Sequence, residues 1–157
     1  MDASLKPTRI IGIDYGMARI GVAFSDERKI IAMPMLTLKA EKKSENTIIK
    51  LIGELEKHQQ ENRYQIETII IGLPLLMSGK KGLLADEVNH FVELLKKNIH
   101  VPILTWDERL TSVQADRSMR ERGMSRKKRS QKSDTVAAVI ILQNYLDYRI
   151  NNIDRPT

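Results

Sequence analysis

Apolar positions along this chain change period several times, and each change marks an element. Arg9 to Asp14 (RIIGID) is a nearly continuous apolar run, interrupted by one glycine and closed by an acid, as a strand buried on both faces reads. Ile20, Val22 and Phe24 then alternate with Gly21, Ala23 and Ser25, predicting a second strand, with Tyr15 to Arg19 as the hairpin connection. A third strand is expected over Ile30 to Lys39. Pro34 lies inside it and has no N–H for a ladder, so that strand belongs at a sheet edge.

From Ser44 the period lengthens to that of a helix, with Ile48, Leu51, Ile52 and Leu55 on one face, Ser44 as candidate cap and a polar tail to Arg63. Ile66 to Gly72 (IETIIIG) reads as a buried parallel strand closed by Leu73 and Pro74, and LLMSGKKG after it as loop. A second helix is expected from about Leu83, its apolar set being Leu84, Val88, Phe91, Val92 and Leu95. Val101 to Trp106 predicts a last short strand. Thr111 and Gln114 form a capping box that opens a third helix, which Gly123 ends. Ser133 caps a final helix to about Arg149, whose apolar residues from Val136 to Leu142, with Tyr145 and Leu146, cover most of its circumference and predict burial.

A three-strand antiparallel meander followed by helix, strand, helix, strand, helix, helix is an α/β pattern with a mixed sheet. Parallel strands joined by helical crossovers place their carboxyl ends on one edge, where open α/β sheets bind ligands. That edge would carry Asp14 and Gly16, then Gly72 to Pro74, then Asp107, Glu108 and Arg109. At 157 residues the chain is about one domain long, expected over residues 1–150 with a short tail at 151–157.

Composition narrows the chemistry. With 41% apolar and 29% charged residues a packed core is feasible, and the absence of cysteine excludes disulfides, thiolate metal sites and thiol catalysis. The longest apolar run, Thr68 to Met77, is far short of the roughly 20 residues of a membrane span. The start MDASLKPTR has no apolar signal core, so a cytoplasmic location and no membrane partner are expected.

The net charge of +6 is concentrated. Arg120 to Lys132 (RERGMSRKKRSQK) holds seven basic residues against Glu121 alone, and the rest of the chain is balanced. Read as a loop, this stretch is a candidate polyanion contact, through Arg122, Arg126, Lys127, Lys128, Arg129 and Lys132, with Arg19 and Arg109 as further candidates. Aromatic residues are only 4%, which disfavours a stacking platform and leaves phosphates as the main target.

Asp14, the Asp107/Glu108 pair and Asp134 are the candidate catalytic and metal-ligating acids. Each alone has a plainer explanation: a turn, acids before a helix, a carboxylate in a helix first turn. Together, carboxylates converging on one edge repel unless cations neutralise them, and oxygen-only ligands suit Mg²⁺ or Mn²⁺. Two such ions about 4 Å apart are the common device for phosphodiester cleavage. Other chemistries fail on spacing. His58, His90 and His100 have no zinc-binding arrangement, Gly79-Lys80 lacks the P-loop spacing and hydroxyl, and no G-x-S-x-G is present.

Four segments in order carry a resemblance over nearly the whole chain: GIDYGMARIGVAFSD, IGLPLLMSG, DERLTS and KSDTVAAVIILQNYL. The sequence closely resembles the YqgF family, also called the RuvX or Holliday-junction-resolvase-like family, of the ribonuclease H-like superfamily. The resemblance implies a five-stranded ribonuclease H-like sheet, divalent-metal nuclease chemistry with Mg²⁺ or Mn²⁺, a cytoplasmic location and a role in trimming the 5′ end of pre-16S ribosomal RNA. The family's acids carry over to Asp14, to the Asp107/Glu108 pair with Glu108 preferred, and to Asp134. Where family members often read GLPLNMDG, this chain has Leu76 and Ser78.

Three readings follow. One is a metal-dependent endonuclease acting on structured RNA, with branched DNA as the close variant. The second is a non-catalytic ribosome-assembly or nucleic-acid-binding factor, motivated by the GLPLLMSG departure. The third takes GIDYG as the phosphate loop of a sugar-kinase-like ATPase, for which a second lobe is missing.

Overall fold

The computed structural model describes residues 5–16, 18–73, 83–107 and 126–153, with backbone only at 83–85, 107, 126–134 and 153. Five strands, β1 (Thr8–Tyr15), β2 (Arg19–Ser25), β3 (Ala32–Lys39), β4 (Gln65–Leu73) and β5 (Ile103–Asp107), form one sheet in the order β3-β2-β1-β4-β5. β1, β2 and β3 pair antiparallel, and β1, β4 and β5 pair parallel, so the expected mixed sheet is present. Among the described residues three helices flank it: α1 (Ser44–Asn62), α2 (Leu83–Asn98) and α3 (Arg126–Ile153). The helix expected over 111–123 and the LLMSGKKG loop lie outside the described residues.

The pleat of β1 divides the core. Ile11 and Ile13 face α1 and α2, packing with Leu51, Leu55, Ile69, Ile71, Val88 and Phe91. Ile10 faces the other way and packs with Ile70, Ala138, Ile141, Leu142 and Leu146 beneath α3. Burial on both faces is why β1 and β4 read as continuous apolar runs rather than alternating ones.

β3 is an edge strand, as Pro34 required. Its register shifts beside the proline, where Val22 pairs with Leu36 but Ala23 pairs with Pro34. The strand begins at Ala32 rather than Ile30, because the N–H groups of Ile30 and Ile31 are given to Asp26 Oδ1 at 2.7 and 2.9 Å. Ser44 is not the cap of α1. Lys43 holds that position without a side-chain cap bond, and Arg63, in the left-handed region at φ 51°, ends the helix. The larger correction concerns α3, which starts at Arg126, seven residues before the expected cap at Ser133, and runs to Ile153. Arg126 to Lys132 is therefore helix, not loop. Arg, Lys and Gln are good helix formers and no Gly or Pro interrupts them, so propensity carries the helix past the Ser-Asp pair. Burial on α3 is one-sided: Ala137, Ala138, Ile141, Leu142 and Leu146 are covered, whereas Tyr148 and Ile150 are exposed.

At the amino end of β1 a polar cluster closes the sheet. The Arg9 guanidinium lies 5.5 Å from the Phe24 ring centroid and 5.3 Å from that of Tyr64, and donates to the Ser25 carbonyl at 3.1 Å. His58 Nδ1 is 2.7 Å from the Tyr64 hydroxyl. Burial pushes that phenol up to about 12, with Arg9 acting in the opposite sense.

Candidate functional site

The carboxyl ends of β1, β4 and β5 share one sheet edge, since these three strands are parallel and adjacent. Asp14, half-buried, sits there as the penultimate residue of the central strand. Across the sheet it pairs with Gly21, and Gly21 pairs with Thr37. On its other side, one residue beyond the Ile13–Ile71 pair, comes Gly72, which pairs with Trp106. Glycine thus stands on either side of Asp14 in its row.

The direction of α3 decides what else reaches this row. The Thr135 and Thr37 hydroxyls are hydrogen-bonded to each other, fixing Thr135 at the row of Asp14. Eight residues later, Gln143 clamps the beginning of β3, accepting from Ala32 N at 2.9 Å and donating to Ile30 O at 2.8 Å. Ala32 pairs with Ser25, whose hydroxyl in turn accepts from Ile10 N at 2.9 Å. Eight helical residues advance about 12 Å. The four strand residues from Asp14 back to Ile10 advance about 13 Å. α3 therefore runs antiparallel to β1, row for row. Asp134, one residue before Thr135, falls at the row of Asp14.

Gly12 sets how closely the two elements approach. A Cβ on Gly12 would lie 2.7 Å from Leu142 Cβ and 3.2 Å from the Ala138 carbonyl oxygen, so only glycine permits this packing. Ala138 is one helical turn after Asp134, and Gly12 is two residues before Asp14. The contact that brings helix onto strand is thus one helical turn from Asp134 and two strand residues from Asp14.

The remaining candidate positions divide clearly. Asp107 ends β5 opposite Leu73, the alternate position in the pleat to Trp106. Glu108, Arg109 and Arg122 lie outside the described residues. Arg19 opens β2 opposite Lys39, beside the same edge and half-buried. Arg126, Lys127, Lys128, Arg129 and Lys132 occupy the first two turns of α3, leading into Asp134. Sequence reading missed Gly12 as the point of helix contact, although a glycine inside a strand is its signal. It also missed Tyr15, whose ring meets Phe91 at 4.8 Å between centroids on the α1/α2 face. Burial first, and the Glu87 carboxylate second, hold the Tyr15 hydroxyl above the usual phenol range.

Among the described residues no group of three or more metal-ligating side chains is assembled. The donor types at the edge nevertheless fit a hard divalent cation. Aspartates stand at Asp14 on β1, Asp107 on β5 and Asp134 on α3, and carboxylate oxygen is the donor such a cation takes.

Comparison with known proteins agrees with this architecture. A chain from Protochlamydia amoebophila named "Putative pre-16S rRNA nuclease" is 58% identical over 149 residues, covering 95% of this chain and 99% of its own length. One of the same name from Clostridium acetobutylicum is 45% identical, covering 88% and 98%. Among solved structures, T. thermophilus RuvC in complex with a Holliday junction substrate superposes with a TM-score of 0.57 at 15% identity, over 91% of this chain and 96% of that one. That likeness identifies the ribonuclease H-like fold. The family model described as RuvX, Holliday junction resolvase, matches residues 8–148, from the first residue of β1 well into α3, and the chain belongs to that family.

Proposed function

We propose that this chain is a divalent-metal-dependent nuclease acting on structured nucleic acid, with the 5′ end of pre-16S ribosomal RNA as its substrate in the cytoplasm. The observation that carries the reading is the shared row of Asp14 and Asp134, set by the Thr37–Thr135 and Gln143–Ala32 contacts and by the closeness that Gly12 allows. Asp14, Asp134 and one or both of Asp107 and Glu108 would hold Mg²⁺ or Mn²⁺. Such ions supply an activated water and charge stabilisation at the phosphate. An ionised carboxylate only accepts hydrogen bonds, so Asp14 would orient a water with its lone pair toward the phosphorus. The basic first turns of α3 would hold the adjoining phosphates through charge. The names of the relatives favour RNA over a DNA junction as substrate.

The test is cleavage of a labelled pre-16S 5′ leader beside a four-way DNA junction, in Mg²⁺ and in Mn²⁺, by the unaltered chain and by Asp14→Asn. Cutting of the leader by the unaltered chain alone is expected. Cleavage that survives in Asp14→Asn would overturn the assignment, and salt-sensitive binding without cutting in either metal would make the chain a binding factor.

A further inference from the structure

On the opposite face of β1 from Asp14 a cavity of about 170 Å³ opens between the end of β1, the start of α1 and α2. The described residues lining it include Tyr15, Phe91, Glu87, Glu41, Lys42 and Thr47. Their roles separate. Tyr15 and Phe91, with rings tilted 43° to each other, supply apolar surface. Thr47 accepts from Glu41 N at 2.8 Å and shapes the wall, and the Glu41 carboxylate is engaged by Lys50 at 3.3 Å. Glu87 differs. Among the described residues no hydrogen bond or ion pair engages its carboxylate, and it lines the cavity together with Tyr15.

A carboxylate that only accepts and a phenol hydroxyl that can donate, lining one cavity, suit one class of ligand edge. Guanine alone among the bases presents two adjacent N–H donors, N1–H and the N2 amine, next to a carbonyl acceptor, O6. Adenine and cytosine place an unprotonated ring nitrogen where guanine has N1–H, and that lone pair would face the carboxylate. Unpaired bases in RNA are commonly read in this way, on their Watson–Crick edge with an aromatic surface alongside.

We propose that this cavity is a subsite for an unpaired guanine of the nucleic-acid substrate, with Glu87 accepting from N1–H and the N2 amine and the Tyr15 hydroxyl donating to O6. Its place beside the scissile phosphate rests on the nuclease reading. Asp14 and Tyr15 are consecutive, about 3.8 Å apart at Cα, and the pleat directs them to opposite faces. A strand crossing the sheet edge with its phosphate at Asp14 carries the next base over the edge toward Tyr15. Lys42 stands at the rim, suited to a flanking phosphate.

The probe is a labelled uridine 12-mer RNA with one central guanosine, compared with the same oligonucleotide carrying inosine or adenosine. Binding is measured with the full chain bearing Asp14→Asn, so that the probe stays intact, and again with Glu87→Gln or Tyr15→Phe added. The guanosine probe is expected to bind about tenfold tighter than the adenosine probe, as one good bidentate pair provides. Inosine, which lacks the N2 amine, should fall between. Glu87→Gln should bring the ratio close to one, and Tyr15→Phe should reduce it, with thermal melts confirming that both variants fold. Equal affinities for guanosine and adenosine, or a preference that persists in Glu87→Gln, would overturn the subsite. A guanosine preference that Glu87→Gln removes, with no cleavage by the chain that retains Asp14, would leave the subsite standing and remove the nuclease reading.

Discussion

Gly12 is the residue at which one missing methyl group decides how near α3 comes to the central strand. Gly12→Ala places a Cβ 2.7 Å from Leu142 Cβ, so helix or strand must yield. Overpacking of this kind costs about 1–3 kcal/mol, which denaturant unfolding would read. Because the same contact registers Asp134 against Asp14, cleavage should fall by about tenfold or more. Leu142→Ala, combined with Gly12→Ala, should restore part of the lost stability, whereas additive losses would show that the two side chains do not meet. A second residue-scale consequence is pH dependence at His58. Burial first and Arg9 second hold its imidazole below the ordinary value of 6.5, against the smaller opposing effect of Glu61. The unfolded chain therefore takes up the proton first. The stabilisation is complete above about pH 6.5 and is lost as pH falls through the lower folded-state pKa. Melting temperatures from pH 7.5 to 5 should decline more steeply for the unaltered chain than for His58→Gln, and parallel curves would refute this. Neither role was legible locally. Gly12 shows only as a break in an apolar run, and its partner is 130 residues away in sequence. Arg9 reads as a strand's first polar residue until Phe24 and Tyr64 are folded against it.

At the scale of elements, β1, β2, β4, α1 and α2 lie within a residue or two of where the periodicity put them, because each buries a face whose spacing is visible in its own sequence. The amino end of α3 was not legible for the converse reason. Arg126 to Lys132 has no apolar stripe, so only helix propensity speaks for it, and the Ser133-Asp134 pair offers a competing cap signal. The correction changes the prediction for binding. A loop of cations would adapt to many phosphate paths, whereas helical residues hold a fixed spacing, rising about 1.5 Å per position. The net charge excess is borne largely by that segment, so RNA affinity should be strongly salt-dependent. Replacing any one of Arg126, Lys127, Lys128 or Arg129 by Ala should lower affinity, and a residue that contacts phosphate should reduce the log–log salt slope by about one. Filter binding between 50 and 200 mM salt measures this. An unchanged slope with all four replaced would place the phosphate contacts elsewhere.

For the molecule as a whole, the sheet order follows from connectivity: hairpins keep β1, β2 and β3 adjacent, and crossovers place β4 and β5 on the far side of β1. That arrangement, readable in the chain, places Asp14, Asp107 and Asp134 on three separate elements whose ends share one edge. The third acid stayed open, because Asp107 and Glu108 are consecutive and only side-chain placement can choose between them. Convergence has a thermodynamic consequence that cleavage assays do not test. On the proposed nuclease reading, acids brought together from β1, β5 and α3 would repel in the folded state and separate on unfolding, so without metal they would oppose folding. Asp14→Asn should then melt at a higher temperature than the unaltered chain in EDTA. Adding Mn²⁺ should raise the melting temperature of the unaltered chain, by about 2.7 kcal/mol of stability at a hundred times the dissociation constant, because an ion bound only to the folded state draws the equilibrium toward it. In Asp14→Asn that response should shrink. The two effects have opposite signs in one variant, which separates a metal-binding carboxylate from a purely structural one. Were Asp14 a hydrogen-bonded turn residue, Asp14→Asn would lower the melting temperature in EDTA and leave the Mn²⁺ response unchanged.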